Sequence, residues 1–269
     1  MGKARGSVRR VRTCGAAAAL AAVAAVSGCG GDADARWSED PAGAERLPDF
    51  APAPPEDIHT KKVGDSWSVE FSSALVNVGA GDFHATAEKN LGGEWTVTQD
   101  IEHADGGASH VPSDAQPVWG GDGHEHWHVE RYVTYHLYAL DEQGEESGEP
   151  RTDHKVGFCI YDFEHSGLDL GPDEAVYERE GCGSEDSNRL VMGLSRGWVD
   201  YYHWNLPGQS IPVDGLDDGD YRLHAVADEQ GVFREETTDN NRTWVDFTLS
   251  TDAAGTRSAL VVDVGPQPG

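Results

Sequence analysis

Tyr221-Arg222-Leu223-His224-Ala225-Val226 decides the fold class of this chain. Apolar and polar residues alternate through it. A β-strand sends successive side chains to opposite faces, so this segment predicts a half-buried strand. Further stretches of strand character run from Trp67 to Val78, Trp95 to Gln99, His126 to Leu140, Lys155 to Tyr161, Tyr221 to Ala227 and Thr243 to Leu249. Turn-forming breaks separate them: Gly79-Ala80-Gly81-Asp82, Asp105-Gly106-Gly107 and Asp217-Asp218-Gly219-Asp220. Helical periodicity is nearly absent. Many short strands divided by such turns predict an all-β chain, an antiparallel β-sandwich with long loops.

The two ends of the chain differ in character. Lys3, Arg5, Arg9, Arg10 and Arg12 open a basic segment, and Gly15 to Val26 is Ala/Val/Leu-rich but short for a membrane span. It ends in Val26-Ser27-Gly28-Cys29, which resembles a bacterial lipobox. In signals of that kind the cysteine carries the lipid and begins the mature chain, so residues 1–29 read as a lipoprotein signal peptide. Residues 30–57 are rich in Ala, Pro, Asp and Glu without apolar periodicity, the composition of a disordered tether. Residues 58–269 form one domain with length enough for a core. The expected location is the outer face of the cell membrane, lipid-anchored, or secreted, with no other membrane contact.

Asp and Glu number 48 against 20 Lys and Arg, a formal net charge of −28. Such a chain repels nucleic acid. It favours solubility, and it also concentrates cationic amines near the surface. Of the cysteines, Cys14 and Cys29 belong to the signal segment. Cys159 and Cys182 are then expected to form one disulfide in an exported domain, with a role as copper ligands the alternative.

Gly123-His124-Glu125-His126-Trp127-His128 carries the chemistry. In an extended chain His124, His126 and His128 project from one face, with Cα atoms roughly 6.6 Å apart at each step, and Glu125 and Trp127 from the other. Imidazoles reach across that gap to one ion about 2 Å from each nitrogen. Three neutral nitrogen donors with an open position suit catalysis rather than a closed structural site. Such donors suit Cu(II) and leave Zn(II) open.

Five ordered segments between about Val69 and Leu249 resemble a bacterial lysyl oxidase. Phe71-Ser72-Ser73-Ala74-Leu75-Val76-Asn77-Val78-Gly79 resembles that family's opening strand and N-x-G turn. His124-Glu125-His126-Trp127-His128, followed by Tyr132 and Tyr135, resembles its copper strand. His154-Lys155-Val156-Gly157-Phe158-Cys159 resembles the segment with its cofactor lysine. Gly193-Leu194-Ser195-Arg196-Gly197-Trp198-Val199-Asp200-Tyr201-Tyr202 resembles the segment with its cofactor tyrosine. Thr238-Asp239-Asn240-Asn241 resembles the turn before its last strand. The resemblance implies one copper on His124, His126 and His128, and a lysine tyrosylquinone built from Lys155 and Tyr202. It implies oxidation of a primary amine, a peptidyl lysine or a small amine, to an aldehyde, with O₂ consumed and ammonia and hydrogen peroxide released. The choice of Tyr202 over Tyr201 rests on spacing alone.

The chemistry also needs a general base, a positioned carboxylate or histidine. Asp153, Asp200 and His203 stand near the cofactor residues in sequence. Asp200 ranks first, because two positions before Tyr202 is the same face of a strand. The acidic run Asp141 to Asp153 reads as an inserted loop. Other readings remain for the histidines: a lipid-anchored copper- or zinc-binding lipoprotein without oxidase activity, or a cupin-type site using His124, His126 and Glu130. Asn240 and Asn241 read as turn formers, and acidic loops such as Asp217-Asp218 offer carboxylates to calcium without an EF-hand pattern.

Overall fold

The computed structural model describes residues 43–120, 125–153 and 157–269. The expected signal peptide with Cys29, the first part of the tether, His124, His154 and Lys155 lie outside the described residues. The strands are, in order, β1 (Phe50–Val63), β2 (Ser66–Asn77), β3 (Phe83–Lys89), β4 (Trp95–Glu102), β5 (Ala108–Ser113), β6 (Pro117–Trp119), β7 (Trp127–Val129) and β8 (Val133–Leu140). They continue as β9 (Glu146–Asp153), β10 (Glu164–His165), β11 (Arg189–Leu194), β12 (Trp198–Tyr202), β13 (Ser210–Pro212), β14 (Gly219–Ala227), β15 (Arg242–Thr251) and β16 (Arg257–Val264). A single 3-10 turn, Arg179–Cys182, is the one helical element among the described residues.

One sheet runs β1-β2-β12-β10, with β13 also on β2; a second runs β11-β3-β4-β5; a third runs β16-β15-β14-β8-β9; and β6 pairs with β7. The described pairings are antiparallel. The fold is the expected all-β antiparallel sandwich. Its core is aromatic. Phe83 meets Phe50 at 5.2 Å and Phe233 at 4.7 Å between ring centroids, and Phe71 meets Tyr135 at 4.6 Å. Edge-to-face geometry of this kind adds to the burial of the rings.

The alternation in β14 is realised. Tyr221, Leu223 and Ala225 are buried in the core. On the other face Arg222 Nε donates to Asp246 at 2.7 Å, and its guanidinium lies 4.1 Å from the Trp244 ring centroid. Beside it His224 Nε2 meets Glu146 Oε1 at 2.6 Å and Nδ1 meets Arg242 Nε at 2.9 Å. Burial lowers the His224 pKa.

Four boundaries depart from the sequence reading. Residues 50–57, placed in the tether, form the first half of β1. Pro52, Pro54 and Pro55 are tolerated because β1 is an edge strand, where a missing N–H facing outward breaks no ladder. Register shifts between Ala53 and Glu56, and between Glu56 and His59, absorb the irregularity. The stretch His126 to Leu140 is two strands, because Arg131 turns the chain with φ 54°. The second half of the acidic run Asp141 to Asp153 is strand β9, paired with β8. Residues 157–161, expected in a strand, make one isolated bridge, between Val129 and Phe158. Their backbone partners come from separate segments: Phe158 bonds Val129, and Ile160 accepts from Gly193.

Candidate active site

The N-x-G turn after β2 anchors the frame. The buried Asn77 side chain accepts from Asp49 N at 3.0 Å and Gly79 N at 3.1 Å, and donates to Gly81 O at 2.9 Å and Leu194 O at 2.8 Å. Every hydrogen-bonding site of the amide is used, which suits a group held out of water. Gly79 is required, because a Cβ there would lie 2.5 Å from Asp49 N and from Leu47 O.

At the entry to β7, alternation divides the side chains as expected for the two described histidines, His126 just before the strand and His128 within it. His126 Nε2 and His128 Nε2 stand 2.9 Å apart. Trp127 points the other way, into an aromatic layer with Trp95 at 4.9 Å and Trp119 at 5.6 Å. Its indole donates to Ser184 O at 2.8 Å, and Lys89 Nζ lies 4.4 Å from its ring centroid. Among the described residues no group of three His, Cys, Asp or Glu side chains gathers at one point; His124 lies outside them. Two ligands each about 2 Å from one ion, at tetrahedral or square-planar angles, are roughly 2.8–3.4 Å apart. The His126–His128 pair fits that spacing, so these two residues suit a copper ion.

Gly157-Phe158-Cys159 connects the histidines to Tyr202. Gly157 lies directly against β7, where a Cβ would come within 2.6 Å of both His128 Cβ and Val129 O. Phe158 closes backbone bonds with Val129 at 2.8 and 3.0 Å, and its ring meets Tyr202 at 4.8 Å. The Tyr202 hydroxyl donates to Cys159 O at 2.7 Å. Cys159 is in turn bonded to Cys182, the expected disulfide. Gly157→Ala is expected to push β7 off this segment, costing about 1–3 kcal/mol by overpacking and lowering the metal content of the purified protein. Melting temperature and copper per chain measure both; unchanged values would show that the contact does not set the histidine geometry.

The two tyrosines of β12 face opposite ways. Tyr202 is buried, as is Asp200 two residues earlier. Burial, and then the Asp200 charge, raises the Tyr202 pKa well above the usual phenol range, so its hydroxyl stays protonated. Asp200 acts in the same direction on Tyr132, Tyr135 and Tyr161. Tyr201 looks outward, stacked on Phe163 at 5.8 Å and donating to Glu56 at 2.6 Å. His203 sits on that outer face, 4.7 Å from Tyr201. Asp153 ends β9 opposite Tyr135. His136 is engaged by Thr152 and Glu229 at 2.9 Å each. Glu130 is exposed in the turn after β7.

A second, partly buried polar cluster lies beside Phe50. Glu235 accepts from Phe50 N at 3.2 Å and Asn241 Nδ2 at 2.7 Å. Asp49 Oδ1, Asn240 Oδ1 and Asn241 Oδ1 are buried beside it without a hydrogen-bond partner. Burial raises the pKa of Asp49, and that of Glu235 to about 7. Asn240 and Asn241 form the turn their sequence suggests, closed by Asn241 N donating to Thr238 O at 3.4 Å, and Asn241 Nδ2 also donates to Ala227 O at 3.2 Å. Asp217 and Asp218 instead hold the chain: Asp217 O accepts from Tyr221, and Asp218 from Thr251.

Fold and site together define a β-sandwich domain that brings a histidine pair, through one short segment, toward a buried tyrosine. The family model for lysyl oxidase matches residues 97–258, and the chain belongs to the lysyl oxidase family. Membership points to amine oxidase activity in general, in a family that is copper-dependent and carries lysine tyrosylquinone. Comparison with curated proteins gives no significant match.

Proposed function

We propose that the chain is a copper-dependent amine oxidase that deaminates primary amines to aldehydes. Copper would be held by His124, His126 and His128, and lysine tyrosylquinone would derive from Lys155 and Tyr202. When bound, these groups supply a redox centre that takes two electrons from an amine and passes them to O₂. The observation that carries the reading is the short bridge from His128, through Gly157 and Phe158, to the Tyr202 hydroxyl. Lys155 stands two residues before Gly157 in the sequence.

The chain's own residues have definite tasks in this reading. Cys159 O orients the Tyr202 hydroxyl, and Phe158 shields the ring from water. Asp200, buried on the Tyr202 face, is the residue we assign as general base. The acidic surface draws cationic amines toward the domain. The lipidated Cys29 would hold the domain at the outer face of the membrane.

Expression with copper and assay of peroxide release from primary amines tests the proposal. Wild type is expected to stain with nitroblue tetrazolium, and Lys155→Ala to lose stain and activity while keeping its copper. Full copper occupancy without a quinone in wild type would favour the metal-binding lipoprotein instead.

A further inference from the structure

The sheet β11-β3-β4-β5 carries a second set of metal-ligand side chains. Antiparallel pairing places Asp100 directly opposite His110 on β5, and Ala85 opposite Gln99 sets His84 opposite Asp100 on the other side. Directly opposed residues share a face with Cβ atoms about 4.5–5.5 Å apart. His84, Asp100 and His110 therefore form a row across three strands, with the carboxylate in the middle. Together with Asp82, Glu102 and Tyr177 they border an open cavity of ≈ 270 Å³.

The donor atoms point to a ligand. His84 Nε2 is buried and finds no hydrogen-bond partner. It lies 3.9 Å from Asp100 Oδ2, too long for a hydrogen bond. Thr86 Oγ1 makes a long contact to the same oxygen at 3.4 Å, and His110 Nδ1 is hydrogen bonded to Asp100 Oδ1. A buried nitrogen without a partner costs free energy that a bound ion would recover. Two ligands sharing one ion sit roughly 3–3.5 Å apart, so a shift of under an ångström closes the His84–Asp100 gap. The His110 ring is 72% exposed and swings between rotamers easily.

We propose that His84, Asp100 and His110 form a second metal site, for a divalent late transition ion such as Zn(II) or Cu(II). Two imidazoles and a carboxylate, with water in the open position, are a donor set of that class. The site is not gathered before the ion arrives; binding exchanges the His110–Asp100 hydrogen bond for coordination. Asp82 and Glu102 at the rim add negative potential. The strands involved differ from β7, so the proposal stands or falls apart from the oxidase reading.

The test uses the full chain with His124→Ala, His126→Ala and His128→Ala combined, which removes the imidazoles assigned to the first metal site. After equilibration with zinc chloride or copper(II) chloride and gel filtration, about one ion per chain is expected to remain. Adding His110→Ala, or separately His84→Gln, is expected to remove it, and the Cu(II) paramagnetic resonance spectrum should lose its nitrogen couplings. His110 is exposed, so its variant keeps the wild-type melting temperature and controls for folding. No ion retained at the start, or an ion count that either substitution leaves unchanged, overturns the proposal.

Discussion

Tyr202→Phe is expected to abolish quinone absorbance and lower amine oxidation by about 10³-fold or more, while Tyr201→Phe leaves both near wild type. The asymmetry follows from β12. Successive residues of a strand face opposite sides, and only Tyr202 faces the core, with its ring on Phe158 and its hydroxyl on Cys159 O. Tyr201 gives up one hydrogen bond to Glu56 on the outer surface. Burial and that carboxylate push its pKa up to about 12, and losing an exposed hydrogen bond to a carboxylate costs stability of at most about 1.5–3 kcal/mol, with no effect on the cofactor. Intact mass separates the two variants cleanly, since a crosslinked and oxidised chain differs from a plain one. Loss of the quinone in Tyr201→Phe, with retention in Tyr202→Phe, would reverse the assignment and with it the geometry argued for Gly157 to Cys159.

The contrast between these tyrosines also marks where the sequence is legible. Period-two patterns in Tyr221–Val226 and His126–His128 specify which face each side chain takes, because alternation is a local property of an extended chain. The two cysteines left after the signal segment had one pairing open to them, with copper ligation the only competing reading. Non-local facts are not written in the same way. Nothing near Gly157 announces that His128 lies against it, since that contact depends on how β7 meets a segment about thirty residues on. The row His84, Asp100, His110 arises from strand register, which a single chain read in order does not display. The first half of β1 was obscured by its own composition: proline removes the hydrogen-bond donor that defines most strands, and only an edge position makes that harmless. Asn77 was visible as a turn residue, yet its hold on Leu194, far along the chain, was not.

Removing the disulfide by Cys159→Ala with Cys182→Ala is expected to destabilise the domain by about 3 kcal/mol. The partners are 23 residues apart, and freeing a loop of that length restores chain entropy to the unfolded state. For a domain of this size the loss corresponds to a fall in melting temperature of roughly 6–12 °C. The same change reaches the candidate active site. Cys159 supplies the carbonyl that orients Tyr202, and its neighbour Phe158 joins Val129 on β7. Once its bond to Cys182 is gone, the segment keeps its backbone bonds to β7 and β11 and the packing of Phe158 but loses its covalent tie, and quinone yield should fall further than copper content, because Cys159 O is the group that orients Tyr202. Calorimetry gives the first quantity; absorbance per bound copper gives the second. If the double variant melted within a degree or two of wild type and formed its quinone in full, the 157–159 segment would be held by its noncovalent contacts alone, and the disulfide would have no part in placing Tyr202.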